Sequence, residues 1–219
     1  MDNIKKEIGV IMNNVEQAQK ELSFIKEIIE NSREKLYDSG VHLVLWGVLV
    51  SIGQFSNYVT ISMRKTEYLG YIWLVIVLLG WGGGFIIDKR EKLVLNPNNF
   101  ANKISSTLWI GGGVSMTIIG FSRLISFGEF YVITPMAINP IISIILGSLY
   151  FATGAIYDIK WFSRLAYGWW GIAIVLFSWV SYMSFLVYGF VLIGLMVVPG
   201  IILNRNYKRI LKERALEEE

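Results

Sequence analysis

The sequence predicts an all-α polytopic membrane protein: six transmembrane helices behind a cytosolic N-terminal helix of amphipathic or heptad character. Three observations carry this. Hydrophobic residues make up 54% of the 219-residue chain, at a mean hydropathy of +0.51, above the apolar share of ordinary soluble domains. Charged residues are only 17%, and none falls in 39–63, 68–87, 104–122, 130–157 or 165–204. Ahead of these windows, apolar residues recur at alternating steps of four and three.

A spanning helix needs about 20 mostly apolar residues. Each of the first four windows fits one span. The fifth fits two, with a tight turn near Tyr182–Gly189. Spans are therefore expected at about 41–63, 68–87, 105–125, 138–157, 167–184 and 187–203, within a transmembrane domain 39–204. A charged tail, 205–219, comes after them. Asn139–Pro140 reads as the start of the fourth span, with Pro in the first turn. Pro199 reads as a kink near the end of the sixth. The first window comes after about 40 polar and charged residues, so the expectation is a retained first span rather than a cleaved leader.

With six spans, 17 of the 20 Lys and Arg residues fall on one side; only Arg64, Lys65 and Arg123 fall on the other. The positive-inside rule then places both termini in the cytoplasm. Trp46, Trp109, Trp161, Trp169 and Trp170 are expected near the inner interface, and Tyr68, Tyr71, Tyr131 and Tyr188 near the outer one, as an aromatic belt. The net charge of +3 reflects this orientation, and no nucleic-acid partner is expected.

In segment 1–38, Ile4, Ile8, Ile11, Val15, Ala18, Leu22, Ile25 and Ile29 hold a heptad pattern, with Leu36 back in phase after Ser32. Glu21 at g and Lys26 at the next e attract across a parallel dimer. Gly9 on the outer face costs about 1 kcal/mol of helix propensity. The stripe suits a second copy in a parallel coiled coil, a different cytosolic protein, the membrane surface, or the protein's own loops. A narrow stripe without Trp or a strongly basic face argues against the membrane surface.

The stretch ELSFIKEIIENSREKLYDSGVHLVLWGVLVSIG (21–53) resembles a group of small, uncharacterised multi-span bacterial inner-membrane proteins. In these, a charged helix ending in an IIENSR-like element leads into a first span containing WG. The resemblance covers about 30 residues and brings no catalytic or binding residues with it. It implies a bacterial source, a cytoplasmic-membrane location and a cytosolic leading helix.

Three span exits share a pattern: Gly84-x-Ile86-Ile87-Asp88, Gly154-x-Ile156-Tyr157-Asp158 and Gly200-x-Ile202-Leu203-Asn204. Three helical hairpins of one type would produce it. So would convergence, because every helix leaving lipid needs an apolar stretch and then a polar anchor. Asp88, Asp158 and Asn204 are accordingly either exit anchors or parts of a cytoplasmic ligand site. Gly47-xxx-Ser51 and Gly80-xxx-Gly84 are small-residue faces that let helices approach closely. GWGGG (80–84) has no subsequent Lys-Ser/Thr, which rules out a phosphate loop.

The chain has no Cys and one His, His42, so Cys-ligated metals and His-rich sites are excluded. No catalytic or cofactor-binding residues are assigned, and no enzyme activity or cofactor is expected. His42, at the start of the first span, is expected to cap the helix or sit at the interface. Arg123 is expected to snorkel near Glu129. Neutral polar residues in the spans, Gln54, Asn57, Ser51, Ser115, Thr117, Ser143, Ser148, Ser178 and Ser181, either line a cavity or bond across helices; a cavity lined by Gln54, Asn57 and Ser148 would favour transport. Two function classes result. The first is a regulatory or scaffolding membrane protein that assembles with itself or a cytosolic partner through the N-terminal helix. The second is a small transporter or lipid-handling permease; a lipid-acting enzyme ranks third.

Overall fold

The computed structural model describes residues 15–23, 40–91, 100–122 and 133–217. Among them every regular element is helical. Helix α1 spans Val41–Ser62 and leads through a 3₁₀ turn, Thr66–Tyr68, into α2, Leu69–Glu91. Then come α3 (Phe100–Gly120), α4 (Pro135–Ile156) and α5 (Lys160–Ser178). The last run is α6 (Met183–Leu192), a π-helical turn (Ile193–Val197) and α7 (Val198–Glu217). Four helices are long and apolar enough to cross a membrane: α1, Thr66–Arg90, α4 and Met183–Arg209. Helices α3 and α5 stand where the third and fifth spans are expected, but begin earlier, and their first turns carry Lys103, Lys160 and Arg164.

Local chemistry explains several boundaries. Thr134 precedes Pro135, whose fixed φ suits the first helical position, so α4 starts there and not at Asn139. Pro140 consequently lies inside α4. The expected turn at Tyr182–Gly189 also moves. The break falls at 179–182, where Ser181 Oγ accepts the Met183 N–H at 3.3 Å. Gly189 is helical instead, and a side chain there would run into the Phe55 ring. The tail after Arg205 continues α7 as helix to Glu217.

Helix α4 packs antiparallel on α5, and Tyr150, Phe162, Ala166 and Trp169 fill the seam, all essentially inaccessible. Tyr150 and Phe162 stack at 4.5 Å. Helix α1 lies along α6, the π turn and α7, with α2 against its other side, while α3 covers α4. The outward faces carry Leu78, Phe85, Ile118, Ile174 and Phe190, exposed apolar side chains of the kind a membrane covers.

Trp169 and Tyr188, expected in the interfacial belt, are fully buried in the core, because each packs its ring against the other at 6.4 Å. Tyr68 and Tyr71 are exposed. In the N-terminal segment only 15–23 is described; it is helical, with Val15 51% and Leu22 68% exposed. Ile4, Ile8, Ile11, Ile25, Ile29, Tyr131 and Arg123 lie outside the described residues.

Candidate functional site

Several polar residues of the spans meet in one cluster, at the end of the bundle where α1 finishes and α4 and α6 begin. A helix rises 1.5 Å per residue, so Gln54 lies about 20 Å along α1 from Val41. Gln54 and Asn139 are both buried and form a reciprocal amide pair. Gln54 Nε2 donates to Asn139 Oδ1 at 2.9 Å, and Asn139 Nδ2 donates to Gln54 Oε1 at 3.1 Å. One turn further, Ser143 Oγ lies 2.8 Å from the Asn139 carbonyl and 3.1 Å from the Tyr188 hydroxyl. With a single proton, Ser143 donates to the carbonyl and accepts from the phenol. Ser51 Oγ donates within α1 to Gly47 O at 2.6 Å and faces Gly189 O of α6 at 3.1 Å. Asn57 accepts from the Trp73 indole of α2 at 2.9 Å.

Of the expected cavity residues, Gln54 and Asn57 are thus brought into the core and bonded to partners. Ser148 is exposed on the far face of α4 and bonds to its own helix at Ile144 O. The three do not share a cavity wall. What the cluster does physically is fasten α1, α4 and α6 by neutral hydrogen bonds. In hydrocarbon each is worth roughly 0.6 to 2 kcal/mol.

A second polar joint sits in the last helix. Pro199 has no N–H to offer the Leu195 carbonyl four residues back, and its ring crowds that carbonyl. The chain widens there into the π turn, whose Val198 N–H reaches Ile193 O. The Tyr150 hydroxyl of α4 donates to the freed Leu195 carbonyl at 3.0 Å. Gly47 gives the room: a Cβ there would sit 2.7 Å from Val197 Cγ2 and 3.2 Å from the Val197 backbone nitrogen. Nearby, Trp169 Nε1 is buried and has no hydrogen-bond partner among the described residues.

The small-residue faces find their partners. The Gly47–Ser51 face meets α6 and the π turn. Gly80 lies under the Trp46 ring, and a Cβ on Gly84 would meet His42 at ordinary contact distance, 3.6 Å. His42 Nε2 is 2.9 Å from Asp88 Oδ1, joining α1 to α2, and both side chains are part-exposed. No third metal-ligating side chain joins this pair among the described residues. Asp158 does not join Asp88: it occupies a left-handed residue after α4, with φ 53°.

Sequence reading singled out Gln54, Ser51 and Ser143 as neutral polar residues but missed Asn139 and Tyr188 as their partners. The signal was present, since an Asn and a Ser four residues apart share a helix face. The Asn-Pro pair masked it by resembling a helix start.

These features define a class, the all-helical membrane protein whose interior polar groups fasten helix to helix. Comparison with protein-family models, curated proteins and solved structures finds no match for this chain.

Proposed function

We propose that the chain is a non-enzymatic, six-span protein of the bacterial cytoplasmic membrane, with both termini cytoplasmic. Its role is regulatory or scaffolding, and it assembles with itself or with a cytosolic protein through its N-terminal helix. The observation that carries this reading is the apolar face of segment 15–23. Val15, Ala18 and Leu22 share one side of that helix and all three are exposed. The bonding of Gln54 and Asn57 to partners within the bundle adds support, because it uses polar groups that a transport path would need.

The absence of cysteine makes a clean test possible. Leu22→Cys is oxidised in native membranes beside Lys20→Cys, which points away from the stripe. A disulfide-linked homodimer at 22 and not at 20 is the expected result; a crosslink to another protein identifies that partner. If neither forms and the thiol at 22 resists a soluble alkylating reagent, assembly through this helix is wrong.

The alternative is a transporter or lipid-handling permease. Trp169 Nε1 favours it, being a donor without a partner among the described residues, beside a widened turn of the last helix.

A further inference from the structure

We propose that the start of α5 holds the headgroup of an anionic phospholipid, with Arg164 and Lys160 as its phosphate ligands. The inference rests on the membrane reading of the fold and not on assembly through the N-terminal helix.

Depth singles these residues out. Gly154 packs on Ser163 so closely that a Cβ at 154 would lie 2.6 Å from the Ser163 backbone nitrogen. Ser163 is therefore level with Gly154, inside the last turn of α4, which runs on to Ile156. Arg164 lies one residue deeper, about 4–5 Å on the apolar side of the end of α4. The cation thus stands beside a part of α4 that carries no charge. Lys160 is one turn before Arg164 on the same face of α5.

Both side chains are exposed, and neither has an ion-pair or hydrogen-bond partner among the described residues. An unpaired guanidinium at that depth reaches back toward the phosphate plane, where its planar fork fits two phosphate oxygens. Below it the same face of α5 is apolar and open. Tyr167 is 62% and Ile174 68% exposed, and among the described residues Gly171 has nothing within 4 Å of where a Cβ would sit. That strip suits an acyl chain, so the occupant is a lipid rather than a soluble anion. Asp158, two residues before Lys160, is the nearest carboxylate in sequence, and its charge opposes a phosphate there.

The test is native mass spectrometry of the full chain released from nanodiscs of phosphatidylglycerol or phosphatidylcholine. The wild type is expected to keep phosphatidylglycerol preferentially. Arg164→Gln and Lys160→Gln should each weaken that preference about fivefold, as expected for one cation near an anionic headgroup. Arg164→Lys should restore part of it, and Asp158→Asn should strengthen retention. Lys208→Gln, on α7, should leave it unchanged. Thermal unfolding of each variant guards against misfolding. Equal retention of the two lipids by the wild type, or undiminished preference in the folded Arg164→Gln, Lys160→Gln double variant, overturns the proposal.

Discussion

The exits of α2 and α4 carry nearly the same residues and fold differently. After Gly84-x-Ile86-Ile87-Asp88 the chain continues as helix to Glu91, and Asp88 reaches sideways to His42. After Gly154-x-Ile156-Tyr157-Asp158 the helix stops. Asp158 N–H bonds back to Ala155 O, and Ile159 N–H bonds to Gly154 O at 2.8 Å. These are the two bonds of a Schellman motif, with Asp158 at the left-handed position that Gly or Asn usually fills. Arg64 closes α1 in the same way, with φ 58°. The third exit differs again, since Asn204 lies inside the unbroken α7. A shared sequence pattern marks where a helix leaves an apolar layer. At two of the exits the element packed against the glycine differs: Ser163 returns against Gly154 where α4 reverses, whereas among the described residues Gly84 faces the His42 imidazole.

The largest effect expected from this contrast is at the glycines. Gly154→Ala should lower stability by about 1–3 kcal/mol, because its methyl would meet backbone that cannot give way. Gly84→Ala should change stability little, its neighbour being at 3.6 Å. Thermal unfolding in one detergent compares them, and equal losses would show that the two exits are alike after all.

The next concerns the third exit, where Pro199 precedes Gly200. Tyr150→Phe should cost about 0.5–1.5 kcal/mol by removing the tyrosine donor from the part-buried Leu195 carbonyl. In a Pro199→Ala background the residue at 199 regains an N–H, and the cost of Tyr150→Phe should shrink. Additive losses in that double-mutant cycle would detach the tyrosine from the proline.

The smallest effects separate the two aspartates by sign. Asp88→Asn weakens a part-exposed contact and should cost less than about 1 kcal/mol. Asp158→Asn should be neutral or stabilising by up to about 0.5 kcal/mol. Asn accepts the left-handed conformation, and the exchange removes an anion from the end of α4. A loss at 158 as large as at 88 would mean that the Asp158 carboxylate has a partner of its own.

Much of the helical layout was legible from charge-free windows, because a change in solvent leaves a long signal. The turn at 179–182 was not, because Trp179, Val180, Ser181 and Tyr182 are as apolar as the helices they separate. Nor was the role of Gln54, since a lone amide in a span reads equally as a cavity lining or as half of a pair. Its partner stands 85 positions away and only the fold brings them together. The burial of Trp169 shows a related limit. Indoles favour interfaces, yet one inside a bundle looks the same in sequence as one at its rim.

The long separation of Gln54 from Asn139 also bears on how the protein is made. Ribosomes add about 5–20 residues per second, so α1 waits roughly 4–17 seconds before Asn139 has been synthesised. Throughout that interval the Asn139 amide that pairs with Gln54 in the folded bundle has not yet been made. The last segment to arrive then seals the first, for a Cβ on Gly200 would lie 2.8 Å from the Gly40 carbonyl. Biogenesis of this bundle therefore ends where it began, and a ribosome stalled before α7 leaves α1 in the bilayer with its amide paired but its N-terminal end undocked.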